Sequence, residues 1–247
     1  MWLKSLKVIP VIDVLNGIVV HAVRGKRQEY QPLQSILCKS VDPLEVAGAF
    51  KALGFSELYI ADLDAIIHGS VNFQVFKLIA TETGLKLMVD AGVADLETAK
   101  KLPEYGVSKV VVGTETLQSK SFVGEAVRLL GSERVIVSLD LKGDKVLVKS
   151  GFDGCKESMG LLREFKEMGV SEVIVLDLAR VGSDEGVNVD FLKKALKEDG
   201  EVYVGGGVRD IKDLVELKDL GVSGVLVATA LHSGKISIEE LKQAGLL

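Results

Sequence analysis

Val8-Ile9-Pro10-Val11-Ile12-Asp13-Val14, near the start of the chain, and Val135-Ile136-Val137-Ser138-Leu139-Asp140-Leu141, past its middle, are two versions of one phrase. Each is a run of branched aliphatic residues carrying an aspartate near its end, and each continues through a turn into a second apolar stretch, Gly17 to Val23 and Lys145 to Lys149. The units that follow repeat in step. Glu57-Leu58-Tyr59-Ile60-Ala61-Asp62-Leu63 matches Glu172-Val173-Ile174-Val175-Leu176-Asp177-Leu178, Val89-Asp90-Ala91-Gly92-Val93 matches Val204-Gly205-Gly206-Gly207-Val208, and Gly113-Thr114 matches Ala228-Thr229. The expectation is a chain of two homologous halves, 1–122 and 123–247.

Working outward, short β-branched runs predict eight strands: Lys7 to Ile12, Glu57 to Ala61, Leu85 to Val89, Ser108 to Val112, Arg134 to Leu139, Glu172 to Leu176, Glu201 to Val204 and Ser223 to Val227. Between them, 3.6-residue periodicity predicts helices over Pro43 to Leu53, Val71 to Ala80, Asp95 to Glu104, Ser121 to Leu130, Glu157 to Met168, Val189 to Leu196 and Asp210 to Leu220. Several of these segments run into a glycine, as in Leu53-Gly54 and Leu220-Gly221, the residue that tolerates a left-handed C-cap. Strict alternation of strand and helix means parallel pairing through right-handed crossovers. Eight such units in 247 residues predict an α/β fold, a (β/α)8 barrel. Neither half closes its sheet alone, so residues 1–247 are expected to form one cooperative domain.

Composition narrows the function classes. With 47% hydrophobic and 26% charged residues, the chain is neither disordered nor a disulfide scaffold, and no apolar run approaches the roughly 20 residues of a spanning helix. A net charge of −5 gives no footprint for nucleic acid, and the basic run Arg24-Gly25-Lys26-Arg27 is too short to change that. The N-terminus leads into a strand with no signal-peptide pattern, so a cytoplasmic location is expected. Cys38 and Cys155 lack metal spacing and read as inert thiols. His21, His68 and His232 form no ligand cluster, and neither metal nor cofactor is implied.

In a barrel, chemistry sits at the C-terminal ends of the strands. Asp13 and Asp140 end strands on opposite sides of the mouth, where two carboxylates can serve as general acid and base. Gly205-Gly206-Gly207-Val208 and Ala228-Thr229-Ala230, followed by a segment able to form an extra helical turn, stand where backbone amides cradle a phosphate. Gly206, Gly207, Ala228 and Thr229 are its expected contacts, joined by Gly182 and Ser183 from the loop Val181 to Gly186. In the first half Gly113 and Thr114 remain, but Asp90-Ala91-Gly92 replaces the glycine run, and a carboxylate in a phosphate cradle costs several kcal/mol unless it turns away or binds a cation. Asp62 and Asp177 either orient ligand hydroxyls or accept bonds from loop amides. Arg24 to Tyr30 reads as a polar loop, either closing over the mouth or merely solvated.

Taken together, Val11-Ile12-Asp13, Asp62-Leu63, Ser138-Leu139-Asp140, Gly205-Gly206-Gly207-Val208 and the run Gly224 to Leu231 resemble the histidine-biosynthesis barrels over essentially the whole chain. That family includes the isomerase of phosphoribosylformimino-aminoimidazole carboxamide ribotide and the cyclase subunit of imidazole glycerol phosphate synthase. The resemblance implies a ribulose-phosphate-binding barrel whose Asp13 and Asp140 are the acid/base pair of an Amadori-type aldose-to-ketose rearrangement on a phosphorylated ribosyl compound, Asp13 as base and Asp140 as acid. The chain departs from the isomerase pattern at Leu176, where a hydroxyl residue is usual, at Tyr59 in place of a histidine, at Asp90-Ala91 in place of two glycines, and at Val181-Gly182-Ser183 in place of Asp-Gly-Thr. These departures point to a divergent isomerase-like paralogue acting on a smaller or monophosphorylated sugar. Two other readings stay open: a cyclase or lyase with a glutaminase partner at the N-terminal face, and a non-catalytic sugar-phosphate binder.

Overall fold

The computed structural model describes residues 5–143, 145–198 and 200–247; residues 1–4, part of the N-terminal reading above, lie outside them. Strand β1 (Lys7–Leu15) turns at Asn16-Gly17 into the antiparallel β2 (Ile18–His21), which pairs with the two-residue β3 (Gln31–Pro32). The parallel strands continue with β4 (Glu57–Asp62), β5 (Lys86–Asp90), β6 (Val107–Gly113) and β7 (Val135–Lys142), then β9 (Glu172–Asp177), β10 (Glu201–Gly205) and β11 (Gly224–Val227). β8 (Lys145–Val146) folds back antiparallel on β7, as β2 does on β1.

Among the described residues, eight parallel strands run β1-β4-β5-β6-β7-β9-β10-β11, and β11 pairs with β1 in the register Ile9↔Leu226, so the sheet closes into a barrel without an edge. Helices α1 (Pro43–Leu53), α3 (Phe73–Thr83), α4 (Leu96–Glu104), α5 (Ser121–Leu130), α6 (Ser158–Glu167), α7 (Val189–Ala195) and α8 (Ile211–Leu220) cover its outside. Caps fix several starts: Asp42 accepts from the Leu44 and Glu45 amides, Asp95 from Thr98, and Asp210 from Lys212 and Asp213. Among three further short helices, two were not expected from the sequence. α2 (Leu63–His68) pushes the start of the following helix from Val71 to Phe73, α9 (Thr229–His232) is the anticipated extra turn, and α10 (Ile238–Gln243) closes the chain on a Ser237–Glu240 capping box. α2 and α10 have six residues each, too few to show a helical period.

The core has two parts because strand side chains alternate. One set packs between sheet and helices, including Ile12, Ile60, Val89, Val110, Val137, Val175 and Val225. The offset set fills the barrel: Ile9, Tyr59, Met88, Val111, Ile136, Ile174, Tyr203 and Leu226. Tyr203 is fully buried near the N-terminal end, and Gly224 makes room for it, since a Cβ there would lie 2.5 Å from the ring. A Lys109–Glu172 ion pair lies beside it, with the Lys109 Nζ 5.8 Å from the ring centroid.

Candidate active site

The inward set, continued in steps of two along each strand, reaches the C-terminal mouth. From β1 it gives Asp13, from β5 Asp90, and from β7 Ser138 and then Asp140. Asp13, Asp90 and Asp140 line one cavity of about 290 Å³, together with Tyr59 and Leu176, the β1–β3 hairpin loop, and the loops after β9, β10 and β11.

Asp140 is buried and held from three sides. Its Oδ1 accepts from the Ser138 hydroxyl at 2.7 Å, its Oδ2 from the Glu115 amide at 2.9 Å, and its own amide donates to Thr114 Oγ1 at 3.0 Å. Burial pushes its carboxyl up to about 7, with the charge of Asp90 adding to the rise and the Ser138 and Glu115 bonds opposing it. The Asp13 carboxyl makes no hydrogen bond among the described residues, and burial lifts it to about 7 as well. Two carboxyl groups that titrate near neutrality in one cavity can exchange protons with a bound molecule.

Asp90 turns toward its own loop: its Oδ1 accepts from the Gly92 amide at 3.0 Å, and burial lifts it to about 6. Tyr59 lies beside Asp90, and the phenol is held well above its ordinary range by burial and by the charges of Asp90, Asp140 and Asp13. Glu115 also lines this side, paired with Arg27 at 2.7 Å.

The loops after β9, β10 and β11 form the opposite wall, where glycines and small residues stand beside Val181, Asp184 and Val208. Gly182, Gly206, Gly207, Ala228 and Thr229 all line the cavity. Gly206 and Gly207 have φ +91 and +93, and a Cβ on Gly207 would lie 2.3 Å from the Gly186 carbonyl oxygen, so only glycine lets these loops meet. Thr229 begins α9, and its Oγ1 bonds His21 Nε2 at 3.1 Å, fastening this loop to the hairpin.

Of the remaining expected residues, Asp62, Asp177, Gly113, Thr114 and Ser183 stand outside the cavity wall. Asp62 accepts from the Ala65 and Asn72 amides, capping α2, and Asp177 accepts from the Ala179 amide and pairs with Arg180. Of the two roles open to them from sequence, the loop-amide role is the one their contacts fit. Strand parity explains it: Tyr59 and Ala61 point inward, so Asp62 points out, and Leu176 places Asp177 likewise. Thr114 sits behind Asp140, and Gly113 lies beneath it. The Ser183 hydroxyl donates to the Arg180 carbonyl at 2.8 Å and shapes its own loop. The Arg24–Tyr30 segment lies over the mouth, with Arg24 bonded to Glu185 and the Val181 carbonyl and Arg27 to Glu115. His232 is buried against Phe50 and Ser35, and burial lowers it to about 4.

Sequence reading assigned no role to Ser138, Glu115 or the His21–Thr229 bond, and treated Arg27 only as part of the Arg24 to Tyr30 loop. For Ser138 a signal existed, because a polar residue two positions before Asp140 in an apolar run shares its face. The others come from loops that meet only in the folded chain. Among the described residues, no group of three or more His, Cys, Asp or Glu side chains is arranged to hold a metal ion, and no helix is long and apolar enough to cross a membrane.

Fold and mouth together define an α/β barrel whose cavity has two carboxyl groups facing each other from β1 and β7 and glycine-rich loops after β9, β10 and β11. The chain belongs to the histidine biosynthesis protein family, whose model matches residues 7–237. It is 32% identical over 241 residues to the 1-(5-phosphoribosyl)-5-((5-phosphoribosylamino)methylideneamino) imidazole-4-carboxamide isomerase of Bacillus cereus, covering 96% of this chain and 98% of the relative. The enzyme of the same name from Campylobacter concisus is 32% identical over 245 residues, 97% of this chain and 100% of its own. An uncharacterized protein of Methanocaldococcus jannaschii is 39% identical over 240 residues, with 96% and 97% coverage.

Proposed function

We propose that this chain is an isomerase that converts a phosphorylated N-ribosyl compound from aldose to ketose, with Asp140 as acid and Asp13 as base. The observation that carries the reading is the pair itself: two inward aspartates from β1 and β7 share one cavity, each lifted to about 7. In the first step, protonated Asp140 delivers its proton to the ribose ring oxygen as the C1–O bond breaks, leaving C1 as an iminium. Asp13, as carboxylate, removes the C2 proton, and the C2–H electron pair forms the C1=C2 bond while the iminium electrons return to nitrogen. Loss of the C2 hydroxyl proton and gain of one at C1 then give the ketose. The phosphate lies against Gly182, Gly206, Gly207, Ala228 and Thr229, where small residues let backbone approach it.

One phosphate fits this cavity better than two. On the β5 side Asp90 already takes the Gly92 amide, and Glu115 adds a second carboxylate, so an anion there meets like charge in a partly desolvated space. The substrate is therefore read as a monophosphate, in keeping with the isomerase relatives in reaction type but not in both phosphates. The duplication of one half-barrel remains the explanation we favour for the matched hairpins after β1 and β7.

Turnover of a panel of N-linked ribosyl 5-phosphates, followed by NMR of the ketose product, tests the reading. Asp13→Asn and Asp140→Asn should each lower kcat by at least about a hundredfold with inorganic phosphate binding unchanged. Full activity in either variant rules out the paired-carboxylate mechanism; phosphate binding with no turnover of any panel member supports a non-catalytic binder instead.

A further inference from the structure

Asp140 and Asp13 end strands on opposite sides of the barrel, yet their surroundings differ. Two strands before β7, on β5, stands Asp90; two strands before β1, on β10, stands Gly205. Between Asp90 and Asp140 lies Gly113 of β6, and the two carboxylates converge above it. A Cβ on residue 113 would sit 3.0 Å from Asp140 Oδ2 and 3.2 Å from Asp90 Oδ2. Around Gly205 the neighbours are apolar, with Leu176 and Leu226 side-chain atoms at 2.8 Å and 3.4 Å from a would-be Cβ.

We infer that Asp90 is a positioning residue that holds the proton on Asp140, which makes Asp140 the acid and leaves Asp13, with glycine at the corresponding place, as the base. This rests on the isomerase reading for its catalytic meaning, although the coupling itself does not. The physical argument is like-charge crowding: two buried carboxylates above one glycine resist ionising together, so the pair retains a proton to higher pH than either would alone. Asp90 is the member able to carry the charge, since its Oδ1 receives the Gly92 amide while its Oδ2 faces Asp140 over Gly113. Asp140 then keeps the proton, although Ser138 and the Glu115 amide also bond it.

Other charged groups face the pair from each side. They are Glu115 with its partner Arg27 from the loops after β6 and β2, and Asp13 across the cavity from β1; Asp62, on the outer face of β4, adds a weaker repulsion on Asp90. Lys142, at the end of β7, also lines the cavity. Arg27, whose charge acts on Asp90, is engaged by Glu115 at 2.7 Å.

Carboxyl-carbon NMR of the full chain, labelled at aspartate, reads the coupling without any substrate, with Asp140→Asn and Asp90→Asn assigning the two resonances. In Asp90→Asn the Asp140 midpoint should fall by about half a pH unit or more, and in Asp140→Asn the Asp90 midpoint should fall by the same amount, because a pairwise interaction is reciprocal. If Asp90→Asn does not fold, the second measurement decides alone. With an active substrate, the high-pH loss of kcat should move to lower pH in Asp90→Asn and return toward the wild-type position in Asp90→Glu. Unchanged midpoints overturn the inference even if Asp13→Asn and Asp140→Asn abolish turnover. Shifted midpoints in a protein with no turnover uphold the coupling and remove only the isomerase reading.

Discussion

Asp13 has the simplest environment of the three inward carboxyl groups, lacking a hydrogen-bond donor among the described residues, and its stability consequence can be worked out with a sign. Burial raises it from 3.8 to about 7, so between those values the folded chain binds a proton that the unfolded chain has released. Stability therefore falls as pH rises through that window, and Asp90 and Asp140, also raised, act in the same direction. Asp13→Asn keeps the shape and removes the charge. Differential scanning calorimetry should show the variant melting above wild type at pH 8, by about 2–4 °C for each kcal/mol recovered in a chain of this size. The gain should shrink as pH falls toward 4, and a variant less stable than wild type at pH 8 would contradict this account. A residue that costs the fold stability at working pH is what the proposed acid/base role of Asp13 requires.

At the scale of elements, the aspartates after β4 and the glycines after β10 answer to different demands. Asp62 is buried and gives both carboxylate oxygens to amides, of Ala65 and Asn72, so it ties α2 and the start of α3 to the strand. Asp62→Ala leaves two inner N–H groups without acceptors and should cost about 2–4 kcal/mol in urea unfolding, with KM of the folded fraction changed less than about twofold. Gly207→Ala does the reverse. Its Cβ meets the Gly186 oxygen and its positive φ is strained, so the loop must withdraw; phosphate affinity and 1/KM should fall at least about tenfold, against a stability loss of about 1–2 kcal/mol. Equal effects of the two variants on KM would mean that Asp62 reaches the cavity by a route its contacts do not show. Both elements were legible in part: the glycine run and capping aspartates stand in the sequence, but the six-residue α2 that Asp62 caps carried too short a pattern to be seen.

For the whole molecule, barrel closure makes a cavity with unlike sides, glycine-rich after β9, β10 and β11, and carboxylate-lined at β1, β5 and β7. Isothermal titration with inorganic phosphate should therefore give one site per chain, and a crystal soaked in phosphate should hold one anion against Gly206, Gly207 and Thr229. A second anion at Asp90 and Gly92 would overturn the single-phosphate reading. The sequence by itself determined the alternation of strands and helices, the eight-strand barrel, and the glycines where loops approach closely, because each is written in short-range periodicity and backbone sterics. It also placed Asp13 and Asp140 at strand ends. Only the tertiary structure decided that Asp62 and Asp177 face outward, that Asp90 meets Asp140 above Gly113, and that His21 fastens Thr229. Those outcomes depend on which face of each strand turns inward and on the register between strands far apart in sequence, and both are fixed when the sheet closes.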